Sequence, residues 1–270
     1  MNAGKLTICL MTICLTAVAV LALGASAAQG HWQEGDPVKM THPQPPDKDG
    51  WDVDMLCGDP PTLADDWKCS ETGDVTDIHF WYSVRQDGYD LSGNEVPAYP
   101  APHFSGVHVS IHDNVPEGEQ APWSMPGAEL WSNDFVVTAD MVAGPFDGIQ
   151  GYDLPGPQTS CVAGDHRFYW QLNLDIEPFH QIEGEIYWLD LYVMDALYED
   201  VGWKTTEGIF EDFAVYETPG GTAPWTPIAV CTDDHETDLA FVITPEPATL
   251  ALMGLGVAGL AASRRRRHHK

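Results

Sequence analysis

Apolar and polar residues alternate with a period of two along much of this chain, a pattern typical of β-strands. The clearest example is residues 167–176, where every second position from Phe168 to Ile176 is apolar. The positions between them, from Tyr169 to Asp175, are mostly polar. Such one-sided alternation is what a half-buried antiparallel strand needs.

The same alternation predicts seven more strands, at residues 75–84, 107–111, 130–137, 187–193, 213–216, 228–230 and 239–243. No stretch of helical length has a 3.6-residue period outside the two ends of the chain. Short strands separated by Gly- and Pro-rich loops predict an all-β domain, a single two-sheet antiparallel β-sandwich of jelly-roll or immunoglobulin-like type.

The N-terminus has the pattern of an export signal. Lys5 precedes an apolar run from Leu6 to Leu23, and the small residues Ala25-Ser26-Ala27 follow. We expect a signal peptide over 1–27, with an uncleaved anchor helix as the alternative. The Pro-, Gly- and Asp-rich residues 28–61 then predict an extended lead-in to a sandwich domain over 62–244.

The C-terminus combines a turn, an apolar run and a basic cluster. Pro245-Glu246-Pro247 precede the uncharged stretch 248–262, and Arg264 to Arg267 follow. Fifteen helical residues reach about 22 Å, against a hydrocarbon core of about 30 Å, so the segment 245–270 predicts a marginal, transient membrane span. The arginines should stay cytoplasmic by the positive-inside rule. Targeting helices are therefore expected at both ends of the domain.

This tail resembles the PEP-CTERM sorting signal of Gram-negative and planctomycete-type bacteria. The residues that carry the resemblance are Pro245, Glu246, Pro247, Arg264, Arg265, Arg266 and Arg267. The resemblance implies recognition by an exosortase, cleavage near Pro-Glu-Pro, and display on the cell surface or release into the extracellular matrix. Signal peptidase and an exosortase are then the expected processing partners.

A second resemblance covers most of the mature chain. The blocks at 46–53, 63–69, 75–81, 109–112, 202–205 and 238–243 look like an uncharacterised β-sandwich family common in planctomycete PEP-CTERM proteins. This resemblance implies a single domain without an assigned catalytic activity. The function expected is that of a non-catalytic surface or matrix protein.

Charge narrows the range of partners. The whole chain has a formal net charge of −29, and the part between the two targeting segments holds 6 basic and 40 acidic residues, a net charge of −34. Such a surface repels nucleic acid and anionic lipid and attracts cations. Nucleic acid is therefore not an expected partner.

Four cysteines lie in the mature part: Cys57, Cys69, Cys161 and Cys231. An even number in an exported protein predicts two disulfides, with three possible connectivities. We favour Cys57–Cys69 and Cys161–Cys231. The spacings contain no CxxC pair, which disfavours a zinc site.

Acidic residues supply a candidate metal site. Asp65, Asp66, Asp77 and Asp238 would gather at one end of a sandwich that pairs its terminal strands, and calcium accepts irregular sets of oxygen ligands. The alternative is a solvated acidic rim with diffuse counterions.

Aromatic residues supply a candidate carbohydrate site. Trp81, Tyr169, Trp188 and Tyr192 are predicted on strand faces opposite the core, where a row of rings could stack on an exopolysaccharide. A lectin-like module is therefore the alternative function.

Catalytic patterns are weak, and we expect no enzyme. His108 and His112 lie about 13 Å apart on a strand and cannot share an ion. Glu183 and Glu185 flank a glycine and are interpreted as turn residues, so with Asp190 they do not form the carboxylate pair of a glycosidase. The chain contains no nucleophile elbow or phosphate loop.

Overall fold

A computed structural model of the chain describes residues 30–55, 62–90, 92–154, 161–198, 200–217, 225–230 and 237–245. The strands are β1 (Trp51–Asp54), β2 (Leu63–Lys68), β3 (Gly73–Val84), β4 (Phe104–Val115), β5 (Met125–Val136), β6 (Val142–Asp153), β7 (Val162–Gln181), β8 (Ile186–Ala196), β9 (Val201–Lys204), β10 (Val215–Glu217), β11 (Trp225–Pro227) and β12 (Phe241–Pro245). A single 3-10 turn, Ala139–Met141, is the helical element within these ranges.

The strands form two six-stranded sheets, which confirms the predicted all-β, two-sheet architecture. Sheet I has the order β12-β3-β7-β6-β1-β9, and sheet II has the order β11-β10-β2-β8-β4-β5. Six strands per sheet and a parallel β1–β6 pair match neither the seven-strand immunoglobulin arrangement nor a simple eight-strand jelly roll. The prediction is therefore confirmed at the level of two sheets.

The alternating apolar residues form the core between the two sheets. Ile78, Phe80 and Tyr82 of β3 are fully buried and share one cluster with Leu189 and Leu191 of β8. Each such side chain stabilises the fold by about 1.5–3 kcal/mol relative to exposure. The predicted inner faces of these strands are correct.

Five strands of sheet I close into a ring at one end of the sheet. β9 pairs with β1 along one edge and with Tyr82–Val84 of β3 along the other. β1 continues to β6, which pairs with β7, and β7 returns to β3. We call β3, β7, β6, β1 and β9 the five-strand ring.

The predicted lead-in is part of the fold. Lys39 N donates to Ile243 O of β12 at 2.8 Å, and Thr41 N donates to Lys68 O of β2 at 2.9 Å, so this segment joins both sheets. Trp32 packs edge to face on Trp81 with ring centroids 5.7 Å apart. Regular structure therefore begins at β1 rather than at residue 62, and the outer face of β3 is covered.

The targeting helices were predicted within segments 1–27 and 245–270. These segments lie outside the described residues except for Pro245, which ends β12. In the part of the chain that the structure describes, no helix has the length and apolar character to cross a bilayer.

Candidate functional site

A buried polar network fills the five-strand ring. His166 Nε2 lies 2.6 Å from Asp52 Oδ2 and 2.8 Å from Ser83 Oγ, and its Nδ1 lies 2.6 Å from Asp165 Oδ1. β1 supplies Asp52, β3 supplies Ser83, and β7 supplies the other two residues, so ring closure brings them together. The side chains of His166 and Asp52 have no exposed surface.

Further basic groups balance these carboxylates. Lys204 Nζ lies 3.5 Å from Asp52 Oδ1 and donates to Gln150 Oε1. Arg85 bonds Asp165 through Nε at 2.9 Å and Asp200 through Nη1 at 3.0 Å. The network thus joins three basic side chains to three carboxylates.

The two fully buried basic groups respond differently to this environment. Burial opposes the positive charge of His166, but Asp52 and Asp165 outweigh that effect and raise its pKa. Burial lowers the pKa of Lys204, and Asp52 only partly opposes it.

Ser83, His166 and Asp165 are the residue types of a Ser-His-Asp triad, but their arrangement does not support the proton transfer of a triad. With carboxylates at 2.6 Å from both ring nitrogens, His166 donates from both and cannot take a proton from Ser83. Ser83 is also fully buried, so no substrate reaches its hydroxyl. The geometry supports a structural role for this network.

Two surface cavities lie next to the network. One, of about 210 Å³, is lined by Arg85, Gln86, Tyr99, Tyr198 and Asp200. The other, of about 470 Å³, shares Gln86 and is also lined by Tyr89, Asp90, Gly93, Gly164 and Asp165. The rings of Tyr99 and Tyr198 are stacked, with centroids 4.5 Å apart and an interplanar angle of 3°.

Three of the four predicted metal ligands come together. Asp65, Asp66 and Asp238 are fully buried, at the junction between β2 and the chain leading into β12. Burial first, then Asp238 and Asp66, raise the pKa of Asp65; burial and then Asp212 raise that of Asp66. Burial raises the pKa of Asp238 to about 7. We call Asp65, Asp66 and Asp238 the acidic cluster.

Asp77 does not belong to the acidic cluster, which corrects the prediction. It lies on β3 in sheet I, directly opposite Asp175 of β7, whereas Asp65 and Asp66 lie on β2 of sheet II. Among the residues with described positions, no group of three or more His, Cys, Asp or Glu side chains is placed to hold a metal ion.

The predicted aromatic row is wrong. Trp81 is 4 % exposed because Trp32 of the lead-in covers it, and Trp188 is fully buried with Met125 and Trp225. Tyr169 and Tyr192 are half-buried, but they lie on β7 and β8 in different sheets. The faces opposite the core carry these rings, yet neighbouring segments cover two of them.

The Cys57–Cys69 pairing is also wrong. Cys69 is a free thiol, 1 % exposed, and its Sγ donates to Glu71 O at 3.2 Å. Burial raises its pKa. Cys161 is not free, and Cys57 and Cys231 lie outside the described residues, so the Cys161–Cys231 pairing stays a prediction.

The histidines and glutamates considered as catalytic or metal-binding candidates do not form a common site. His108 Nδ1 contacts Asp134 at 2.6 Å, and His112 Nε2 contacts Asp190 at 2.6 Å, so each histidine has its own carboxylate. Gly184, with φ of 84°, forms the turn between Glu183 and Glu185.

Two comparisons with protein families now define the chain. A PEP-CTERM protein-sorting motif matches residues 244–267, which confirms the resemblance of the tail. The fold and this motif define an exported all-β protein that is transiently membrane-anchored and processed by an exosortase. The family described as "Domain of unknown function (DUF7901)" matches residues 40–244, and the chain belongs to it. No curated protein and no solved structure matches the chain.

Proposed function

We propose that the mature protein is a non-catalytic component of the cell surface or extracellular matrix, inserted transiently with its arginine cluster on the cytoplasmic side. The location rests on the sorting motif at residues 244–267, and the non-catalytic role rests on the sealed network around His166. Its Ser-His-Asp contact has neither an accessible hydroxyl nor an available base. The polar groups in the ring hold strands together instead.

A fluorophosphonate probe tests the absence of a reactive serine, because it reacts with serines activated by a histidine base. We expect the exported protein to stay unlabelled under conditions that label a serine hydrolase control. Labelling that Ser83→Ala abolishes would contradict the proposal.

Fractionation tests the location. We expect the protein in the surface or matrix fraction, with an intact mass that lacks residues 1–27 and the residues after the Pro-Glu-Pro turn. A variant truncated after Thr244 lacks the sorting motif and should be absent from the surface or matrix fraction. Recovery of Met1 or Lys270 in surface protein would contradict the sorting argument.

Carbohydrate binding is the second candidate function, at the cavity beside Arg85 rather than along the predicted aromatic row. This cavity combines the stacked rings of Tyr99 and Tyr198 with a guanidinium, an amide and a carboxylate. Aromatic surface with a few convergent polar groups is typical of small-ligand sites.

The charge around the cavity favours a neutral sugar. Arg85 already bonds Asp165 and Asp200, so its charge is matched before any ligand binds. The adjoining larger cavity adds Asp90, another carboxylate. Carboxylates accept hydrogen bonds from hydroxyl groups and repel phosphate, sulfate and uronate groups.

Gln86 allows a test that separates binding from folding. Its φ of 64° is left-handed, so glycine fits the same backbone without the side chain's steric cost. In Gln86→Gly we expect an equal or higher Tm, with affinity for neutral oligosaccharides reduced about fivefold to tenfold by the loss of a hydrogen bond.

Glu211→Gly is the matched control. Glu211 has a φ of 74° but lies beside Lys68 and lines neither cavity. It should keep full affinity on an array of neutral, uronic and sulfated glycans. The absence of any saturable neutral-sugar signal from the parent protein would exclude this function.

A further inference from the structure

The acidic cluster and the neighbouring Gln44 carry buried oxygen atoms that accept no hydrogen bond. Asp66 Oδ2, Asp238 Oδ1 and Gln44 Oε1 are buried and have no hydrogen-bond partner. The side chain of Gln44 is a neutral amide. Its Nε2 donates to the backbone oxygen of Asp66 at 3.3 Å, and this bond holds the amide beside the cluster. An unpaired buried carboxylate oxygen costs considerably more than a lost neutral hydrogen bond.

The other oxygens of the cluster are occupied by backbone donors. Asp65 accepts from Leu239 N at 2.6 Å and from Asp66 N at 2.8 Å. Asp66 Oδ1 accepts from Asp212 N at 3.3 Å, and Asp238 Oδ2 accepts from Phe210 N at 2.6 Å. These bonds orient the carboxylates and leave one oxygen free on Asp66 and one on Asp238.

The charge of the cluster is not matched by protein groups. Within the described ranges, no lysine, arginine or histidine forms an ion pair with Asp65, Asp66 or Asp238. The nearby Lys68 pairs instead with Glu211, at 3.7 Å. Buried charges are normally paired or bound to metals.

We propose that this cluster binds one calcium ion, with Asp66, Asp238 and the Gln44 amide as protein ligands. The donors are all oxygen, which suits a hard cation and disfavours zinc or copper. Asp65 has both oxygens engaged and contributes negative charge rather than a ligand. The protein therefore supplies two carboxylates and one amide, and water supplies the remaining coordination positions.

The exported protein, stripped with EDTA and desalted, is titrated with calcium chloride in thermal melts. Calcium at one hundred times its Kd should raise the ratio of folded to unfolded protein about one hundredfold. Sodium chloride at matched ionic strength and magnesium chloride should give smaller shifts. Elemental analysis should find one calcium per chain before stripping.

Variants distinguish bound calcium from diffuse counterions. Asp66→Asn and Asp238→Asn keep the side-chain shape and remove repulsion, so the calcium-free Tm should hold or rise while the calcium response is lost. Asp134→Asn, at an exposed acid on β5, should respond as the parent does. Equal responses to calcium and sodium, or an unchanged response in the two cluster variants, would overturn the proposal.

Terbium luminescence gives a second readout that does not depend on melting. Trp67, next to Asp66 in β2, is a buried donor for sensitised emission. We expect emission that calcium displaces and that Asp66→Asn removes. Emission of parental strength in both cluster variants would place terbium on the general acidic surface and contradict the site.

Discussion

Two histidine–aspartate contacts of equal length lie in opposite surroundings. His166 and Asp52 are 2.6 Å apart with no exposed surface on either side chain. His108 and Asp134 are also 2.6 Å apart, but 67 % of the Asp134 side chain is exposed. Water screens the second pair and not the first, so equal geometry does not imply equal energy.

Asp52→Asn should cost about 3–5 kcal/mol of unfolding free energy, because it leaves His166 and Lys204 buried beside a weakened partner. Asp134→Asn should cost less than about 1 kcal/mol. Urea unfolding at pH 7 measures both. Equal costs for the two substitutions would show that burial does not decide the strength of these pairs.

Asp77 and Asp175 face one another across β3 and β7. Burial, then the contact with Asp175, raises the pKa of Asp77 to about 7. A carboxyl with a raised folded pKa contributes stability that is present below its unfolded pKa and is lost as the pH rises through the folded value. This contribution should fall between about pH 4 and pH 7.

Asp77→Asn should therefore raise stability at pH 8 by about 0.2–1 kcal/mol, since it removes a directly opposed like-charge pair, and should flatten the pH dependence over that window. Melts at pH 5 and pH 8 in EDTA measure the effect. Glu177→Gln, at an exposed position on β7, the strand that carries Asp175, should not reproduce it. A loss of stability at pH 8 would mean that repulsion does not control this pair.

Alternation of apolar residues located β3, β4, β5, β7, β8 and β12, and it missed β1, β2, β6 and β9. β2 reads Leu-Ala-Asp-Asp-Trp-Lys, and its central aspartates are buried rather than exposed. β6 is rich in glycine because two neighbouring segments approach it closely. A Cβ at Gly151 would lie 2.5 Å from the Trp51 ring of β1, and a Cβ at Gly148 would lie 1.9 Å from Lys48 O, in the segment before β1. Both strands depend on neighbours that are distant in sequence, so no local pattern marks them.

The lead-in illustrates the same dependence. Its sequence has few apolar residues, yet Trp32 and the hydrogen bonds of Lys39 and Thr41 fix it against both sheets. The main-chain oxygen of Trp32 also accepts a bond from Gln171 Nε2 at 3.1 Å. The segment therefore acts as a cover for the outer face of β3 and β7.

Trp32→Ala should cost about 3 kcal/mol and speed amide exchange in residues 38–44, because it removes the packing on Trp81. Hydrogen-exchange mass spectrometry and urea unfolding measure the two effects. His31→Ala, an exposed neighbour, should change neither. If exchange in the lead-in stays at the parental rate, Trp32 does not anchor the segment.

Net charge acts on the whole molecule. The mature part holds 40 acidic and 6 basic residues, so pairs of carboxylates that repel each other outnumber the attractive ion pairs. Salt weakens both kinds of interaction. Raising the ionic strength shortens the screening length from about 10 Å at 0.1 M to about 3 Å at 1 M. Buried pairs such as His166–Asp52 are screened much less.

The Tm should therefore rise when sodium chloride is raised from about 0.02 M to about 0.5 M in EDTA, as the screening length shortens and self-repulsion weakens. Scanning calorimetry measures the shift. Choline chloride at equal ionic strength is the control for a specific sodium effect and should give the same rise. A fall in Tm would show that attractive surface pairs dominate.

The sequence by itself determined the export route, the all-β class and the inner faces of the long strands, because targeting signals and period-two alternation are local properties. The sequence also predicted that Asp65, Asp66 and Asp238 lie close together, because they flank the first and last strands expected to pair. Tertiary structure decided the rest. Ring closure assembled Asp52, Ser83, His166 and Lys204 from four strands, and docking of the lead-in buried Trp81. Contacts between segments far apart in the chain depend on strand order and register, which no local pattern encodes.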